Sequence, residues 1–519
     1  MKHLSNLARQ IAARGIKHVF GIPGSGPSLH LLNELEKLEV RFHLTHFEGS
    51  AALMAGAFGK LSSQSGVAVS IKGPGLTNML PGLAACRLEG FPVVSIAEAY
   101  LPGAPPESSH KRMTHDKLLA GVAKVQAYLS DSGPAFESLC QLAETEVPGV
   151  AHLNIAASPA DDCFSPIFAP EEFDKNADLE PTIALIQKAS KPLVIAGTLA
   201  VRKNWCNYLN SLTLPVFSTA AAKGAVNESR PHACGVFTAV GGPLAPETAI
   251  LPQADLVISL GLRHNEVLAV KPFDCPTIHI DPLGEEKSFG FKFNITARGA
   301  ASQIDILFEI LAQKSWGLGL IETTIEKLNA MMFSSSFLPA QVYDGIARHF
   351  KKEARLVLDT GNFCTIGEHT WQVTRPDLYL AAGQGRYMGV GIPLGVGAAL
   401  YDPRIPTVVF TGDGGIGMFI SEMKLAAQHH LPLLVVLLSD AFLGTIRAAS
   451  LSKGYSQQPT AIDQPSWLQT MEGLGIAGQR IHDSEELATA LEGWNRDAPL
   501  YLEVPFDADE YQGMTAGIR

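Results

Sequence analysis

Two acids set at the ends of adjacent strands give the first sign of chemistry. "TGDGGIGMF", Thr411 to Phe419, reads as the end of a strand, a glycine-rich turn and the start of a helix. Such a turn presents free backbone N–H groups, which suit a phosphate. Asp413 in that turn repels a phosphate unless a cation lies between them. Mg2+ does this, taking one or two carboxylates together with phosphate oxygens and waters. The next strand ends in "LLSDAFLGTIR", which puts Asp440 at the carboxyl edge of the sheet, where parallel α/β folds hold their ligands. Strands joined by one helix bring Asp413 and Asp440 together, and the pair predicts a Mg2+–diphosphate site. A third acid, Glu48, opens "EGSAALMAGAFGK". The helical spacing of Ala51, Met54, Ala55 and Phe58 predicts a helix whose small residues admit a close neighbour. An acid at the mouth of such a helix should be buried.

These groups must be carried by alternating strands and helices. Short apolar runs such as "VAVSI", "PVVSI", "PLVIAG", "DLVISLG", "PTIHI", "PTVVFTG" and "LPLLVVLLS" read as buried strands, and "SEMKLAAQHH" as helix. The class is α/β with parallel sheets. "VAVSIKGPGLTNMLPGLAACRLEGFPVVSI" near the start and "PTVVFTGDGGIGMFISEMKLAAQHHLPLLVVLL" near the end share the order strand, Gly turn, helix, Pro turn, strand. They predict two similarly folded outer domains, each doubly wound around its own sheet. "ASPADDCFSPIFAPEEFDKNADLEP" reads as a linker, and a second linker is expected near "KLNAMMFSSSFLPA". The expected domains are 1–160, 178–315 and 335–519. The middle one carries "IAGTLAVRK", which lacks a full dinucleotide fingerprint.

The bulk numbers agree with this division. A chain of 519 residues is too long for one core. A formal charge of -11, with no Lys/Arg-rich run, argues against a nucleic-acid partner. The seven cysteines are scattered and form no CxxC, so a disulfide framework or structural zinc is not expected. The N-terminus, with Leu4, Leu7, Ala8, Ile11 and Ala12 at helical spacing, reads as an amphipathic helix rather than a signal peptide. The strongly apolar run Leu433–Leu438 is too short to span a bilayer. A cytoplasmic protein without membrane attachment is expected.

"GDG", then 24 residues, then "SD" resembles the thiamine-diphosphate motif, in which GDG is followed after a similar interval by NN. The chain resembles the acetolactate synthase-like family of thiamine-diphosphate enzymes over nearly its whole length. "GIPGSG", "HFEGSAALMAGAFGK", "KGPGLTN", "GQGRYMGVGIPLGVGAAL" and "LGTIRAASLSKGY" match its successive motifs in order. The resemblance implies a pyrimidine-binding first domain, a Rossmann-like central domain and a diphosphate-binding last domain. It implies that Glu48 hydrogen-bonds N1′ of the aminopyrimidine, so that the thiazolium can lose its proton and attack a 2-oxo acid. It places Met388 as the wedge that bends the cofactor, and the backbone of Arg386 and Met388 against the pyrimidine. Gly73 lies in the matching GPG turn. Gly412, Gly414, Gly415 and Ile416 would line the diphosphate, and Asp413, Asp440 and the Phe442 carbonyl would bind Mg2+. Gly24 and Ser25 lie in the substrate-side loop. The two halves of the site come from different subunits in this family, which implies a homodimer or homotetramer. FAD occupies the central domain of some members, but nothing in this sequence demonstrates it.

Four departures qualify the resemblance. Asp440 stands where Asn is usual. Arg386 stands where Gly is common, so a guanidinium becomes available to read an extra anionic group on the substrate, unless it serves a salt bridge. Lys111 stands near a Gln of acetolactate synthases, and no His-His pair is present there. His110 and His115 are candidates for acid–base work, or else belong to a solvated loop. Ala448, Ala449 and Ser450 follow Arg447 where those synthases carry Trp. The expected activity is decarboxylation of a 2-oxo acid and transfer of the acyl carbanion to a carbonyl acceptor. The alternatives are simple decarboxylation to an aldehyde, with an anionic substrate, a flavin-linked oxidase and a non-catalytic paralogue that binds the cofactor.

Overall fold

The computed structural model describes residues 2–105, 107, 109–131, 135–160, 178–281, 291–297, 299, 303–334, 337–463 and 466–519. Most of the first expected linker, with Cys163, and the first two residues of the third expected domain lie outside them. Three parallel sheets of six strands organise the chain. The first holds β1 (His18–Ile22), β2 (Arg41–Leu44), β3 (Gly66–Ser70), β4 (Val93–Glu98), β5 (Ala123–Tyr128) and β6 (Val150–Ile155), in the order β2-β1-β3-β4-β6-β5. The second holds β7 (Pro192–Ala196), β8 (Val216–Thr219), β9 (Ala233–Phe237), β10 (Leu256–Leu260), β11 (Thr277–Ile280) and β12 (Ile295–Thr296), in the order β12-β11-β10-β7-β8-β9. Read from β9, that is the doubly wound dinucleotide-fold order, with its switch point between β7 and β10. The third holds β13 (Arg355–Leu358), β14 (Tyr379–Ala381), β15 (Thr407–Gly412), β16 (Leu433–Ser439), β17 (Ala477–Arg480) and β18 (Leu500–Pro505), in the order β14-β13-β15-β16-β18-β17. Its strand order repeats that of the first sheet position by position. The two outer domains thus share one topology.

The strands form where apolar runs can be buried on both faces. Every residue of β3, β4, β7, β10 and β11 is buried. The outer domains meet through the helices Glu48–Ser62 and Gly391–Tyr401, each of which follows the second strand of its own sheet. One apolar cluster runs from Met54 and Ala57 to Ile392, Val396 and Val409. The approach is close because the residues are small: a Cβ on Gly397 would lie 2.8 Å from the Cα of Met54. The second expected linker is corrected in part. Lys327–Met332 close the helix Leu318–Met332, because Ile321, Leu328 and Met332 keep a helical apolar face and no Gly or Pro falls between Leu320 and Met332. Six cysteines are described, and all are free thiols. Among the described residues no helix is long and apolar enough to cross a membrane.

Candidate active site

The carboxyl edge of the third sheet assembles the expected cation site. β15 ends at Gly412, and Asp413 begins a single helical turn, Asp413–Ile416. β16 ends at Ser439, and Asp440 follows. Asp413 Oδ2 accepts from the Asp440 N–H at 2.9 Å and the Ala441 N–H at 2.7 Å. Asp440 Oδ1 accepts from the Phe442 N–H at 3.1 Å. Burial, and then the neighbouring Asp413 carboxylate, push the Asp440 carboxyl up to about 6 against that hydrogen bond. Two carboxylates held this close in a partly buried site are relieved by a cation, and their hard oxygen donors suit Mg2+. The glycines beside them keep the turn open. A Cβ on Gly414 would meet Met388 Sδ at 2.8 Å and Leu443 Cδ2 at 2.7 Å, so the structure brings Met388 to the Asp413 turn.

Asp359, at the end of β13, was not singled out in the sequence and ties this edge together. It accepts from the N–H groups of Thr360 (2.7 Å) and Gly389 (2.8 Å) and from Thr411 Oγ1 (3.0 Å). Burial pushes its carboxyl up to about 6 despite these donors. Thr360 Oγ1 in turn donates to the Tyr387 carbonyl at 2.9 Å. Asn362 also joins the site: a Cβ on Gly444 would lie 3.3 Å from both Asn362 Nδ2 and Asp440 Oδ2. Thr445 Oγ1 fixes Asn362 at 2.6 Å. A lone acid after an apolar run carries no spacing signal. The "DTGN" after β13 is the one local cue.

Arg386 has φ 51°, a left-handed backbone that glycine adopts without strain. Its Nε is buried without a hydrogen-bond partner. Its charge acts on two buried acids. Burial pushes Glu368 up, but Arg519 and then Arg386 outweigh it and hold Glu368 below the usual carboxylate range. Burial raises Glu89 to about 7 in spite of Arg386 and of hydrogen bonds from Gln384 and Gly385.

A second cluster forms at the carboxyl edge of the first sheet. Glu48 is 6% exposed, starts the helix Glu48–Ser62 and accepts from Asn78 Nδ2 at 3.1 Å. A Cβ on Gly75 would lie 3.3 Å from Glu48 Oε1. Gly73 has φ 63°, and the Lys111 carbonyl fills the place a side chain there would take. His115 is buried with both ring nitrogens engaged: the Gly73 N–H donates to Nε2 at 3.4 Å, and Nδ1 pairs with Asn154 Oδ1 at 2.6 Å. Burial lowers its pKa, so the neutral ring holds the Gly73 turn. His110 is exposed, and its carbonyl accepts from Tyr100 Oη at 3.0 Å. Gly24 packs on Glu98, and Ser25 is exposed.

The two clusters do not close on one another through the Pro74–Glu89 helix. Its first turn touches Glu48, whereas Glu89 at its far end receives the N–H groups of Gln384 (3.0 Å) and Gly385 (2.6 Å). At 1.5 Å per residue those ends are about 20 Å apart.

The central domain closes its own crevice. At the switch point between β7 and β10, Glu266 accepts from the Thr198 N–H (3.1 Å), Thr198 Oγ1 (2.6 Å) and Thr219 Oγ1 (2.9 Å). A nucleotide phosphate there would meet a buried carboxylate, so these residues do not fit the diphosphate of FAD.

Comparison with known proteins covers the same segments. Residues 1–110 match the thiamine pyrophosphate enzyme N-terminal TPP binding domain, 179–303 the central domain and 359–504 the C-terminal TPP binding domain. YdaP of Bacillus subtilis (strain 168), described as thiamine pyrophosphate-containing, is 26% identical over 94% of this chain and 89% of its own length. An acetolactate synthase of the same organism is 24% identical over 96% of this chain and 92% of its own. The acetolactate synthase isozyme 1 large subunit of Escherichia coli (strain K12) is 23% identical over 96% and 92%.

Proposed function

This chain belongs to the thiamine pyrophosphate enzymes, and from that premise we propose that it decarboxylates a 2-oxo acid and joins the remaining acyl unit to a carbonyl acceptor, with Mg2+ as the bound cation. The observation that carries the reading is the Asp413–Asp440 pair, Asp413 buried and Asp440 half-buried, beside Gly414 and Met388, in a chain that also buries Glu48 at a helix start. Bound thiamine diphosphate supplies a carbon nucleophile and an electron sink for decarboxylation. Asp413, Asp440 and the Phe442 carbonyl would hold Mg2+, and the Gly412–Ile416 turn would face the diphosphate. Met388 and the backbone at Arg386 support the pyrimidine. Glu48 would hold a proton at the pyrimidine nitrogen of the bound cofactor, and the apolar residues of its helix would keep water away. His115 positions the Gly73 turn rather than moving protons itself.

Glu48 and the loop entering Arg386 lie at opposite ends of the Pro74–Glu89 helix. That separation supports a site completed by a second copy of the chain, in a dimer or tetramer. The test is product analysis with purified protein, thiamine diphosphate, Mg2+ and a panel of 2-oxo acids. CO2 release with a ketol product is expected, and it should collapse in Glu48→Gln. Aldehyde without ketol would assign simple decarboxylation instead. CO2 release unaffected by Glu48→Gln would overturn the assignment of Glu48.

A further inference from the structure

Glu422 is fully buried in the last domain, and the groups it binds lie in the first. It closes the short 3₁₀ turn Ile420–Glu422, which follows the Asp413–Ile416 turn. Its Oε1 accepts from the N–H of His46 at 3.0 Å and from that of Phe47 at 3.2 Å. Its Oε2 lies 3.4 Å from His46 Nδ1. His46 and Phe47 lead directly into Glu48. Phe47 is the N-cap of the Glu48–Ser62 helix, and its side chain makes no capping hydrogen bond. A carboxylate from another domain therefore holds the backbone in front of that helix, where the helix dipole favours an anion. Burying a carboxylate costs free energy unless hydrogen bonds compensate it, and the compensating donors here are the residues before Glu48.

The segment that brings Glu422 there also touches the other parts of the proposed site. Met418 packs against Gly389, with its Cβ and Sδ 2.8 Å from where a Cβ on that glycine would stand. The rings of Phe419 and Phe47 lie 5.9 Å apart between centroids. Nine residues thus carry the chain from Asp413, past the loop of Met388, to the turn before Glu48. The other side of that turn is held within the first domain. The Thr45 N–H donates to the Gly21 carbonyl at 3.2 Å, and Thr45 Oγ1 donates to the Phe47 carbonyl at 3.1 Å. The mouth of the helix is therefore fixed from β1 on one side and from Glu422 on the other.

We propose that Glu422 is a positioning residue for Glu48: through the His46 and Phe47 N–H groups, the domain that carries the Asp413 turn sets where the acid of the first domain stands. A shift of about 1 Å in a group that must meet a reacting atom costs about a hundredfold in rate, so a hold two residues away matters to the chemistry. The inference rests on the role proposed above for Glu48 in its effect on the reaction, but the hold itself stands on the hydrogen bonds.

Two variants of the full-length protein separate reach from charge. Glu422→Gln keeps an oxygen for both N–H groups and removes the charge. Glu422→Asp keeps the charge and is one methylene too short to hold both. Circular dichroism checks that each is folded. The first measurement is hydrogen exchange of the His46 and Phe47 amides, which needs no turnover. It should quicken about tenfold in Glu422→Asp, as for a lost hydrogen bond, and stay near wild type in Glu422→Gln. The second is kinetics with a 2-oxo acid that releases CO2, beside equilibrium dialysis of the cofactor. In Glu422→Asp, kcat should fall about tenfold to a hundredfold while KM and cofactor affinity stay nearly unchanged, and Glu422→Gln should recover to within about threefold of wild type. A bond that only held the domains together would lower stability without parting kcat from KM. Glu422→Gln as slow as Glu422→Asp, Glu422→Asp as fast as wild type, or a kcat loss matched by lost cofactor affinity overturns the inference. Exchange that is alike in all three proteins overturns it whatever the activity. Exchange that follows the expected pattern, with no CO2 from any 2-oxo acid, upholds the hold on Glu48 and overturns the reaction.

Discussion

The two outer domains repeat one strand order and differ in the sign of charge at one of two comparable strand ends. The third strand of the first sheet leads to Lys72, and that of the last leads to Asp413. The fourth strand ends at Glu98 in the first and leads to Asp440 in the last. In the first domain the two positions form an ion pair at 3.6 Å. In the last they are two acids joined through a backbone N–H. The first domain therefore balances its charge internally, and the last needs a cation. The helix after the second strand differs as well. In the first domain it opens with buried Glu48, and in the last with Gly391. On the function proposed above, one topology would supply a proton-holding edge and a cation-holding edge, and the difference lies in a few residues at strand ends.

Removing the acid of the first edge should have the largest effect. Glu48→Gln keeps the shape and loses the proton exchange, so kcat should drop about 10²- to 10⁴-fold. Equilibrium dialysis should still show the cofactor bound. Asp413→Asn strikes the other edge and should invert that pattern. Mg2+ affinity should fall by at least the tenfold to hundredfold that losing a supporting partner of a metal ligand costs. Activity should return in part at high Mg2+. Should both variants lose the cofactor to the same degree, the division of labour between the edges fails.

The seam between the domains gives a smaller, pH-dependent effect. His18 Nδ1 lies 2.8 Å from His43 Nε2, and His43 Nδ1 lies 3.3 Å from His429 Nε2. Burial, with Arg41 and the neighbouring rings, lowers the His18 pKa to about 4 and that of His43 to about 3. The unfolded chain takes up these protons near 6.5, and the folded chain resists them. The stability held above pH 6.5 is therefore lost as pH falls toward 4. After allowance for the partial exposure of His18, this pair should contribute about 2 kcal/mol to the change that urea titrations show between pH 7.5 and 5. His43→Phe should flatten that slope. An unchanged slope would mean that the seam does not titrate as a unit with folding.

Much of this arrangement was legible in the sequence, and what was not has a common cause. The runs around β3, β4, β15 and β16 were readable because apolar stretches bounded by Gly and Pro have few alternatives to a buried strand. Asp413 and Asp440 were readable because one βαβ unit fixes their spacing. Asp359 was not, since its partners Thr411 and Gly389 come from other segments. Glu266 was hidden for the same reason: its partners Thr198 and Thr219 precede it by dozens of residues. The Arg386 substitution was visible, but its left-handed backbone and the effect of its charge on Glu368 were not. A sequence displays charge and local spacing, whereas which buried carboxylate meets which donor depends on the order of strands in the sheet.

The smallest predicted effect tests the ion pair that separates the two edges. Lys72→Met keeps the length and packing of the side chain and removes its charge. Glu98 is then left buried with the Ser28 N–H and hydroxyl, at 3.1 and 2.6 Å, as its remaining donors in this cluster. Those two bonds compensate most of its desolvation, so the loss is less than that of a bare buried charge. A destabilisation of about 1 kcal/mol is expected by urea denaturation at pH 7.5. The variant makes the first edge anionic, as the last one is. If the comparison holds, Mg2+ should still not stabilise the first edge, because Glu98 has no second carboxylate at the position of Lys72. Lys72→Asp supplies one, and there added Mg2+ should recover part of a larger loss. A Lys72→Asp variant as stable as Lys72→Met and indifferent to Mg2+ would show that strand-end charge alone does not make a cation site in this topology.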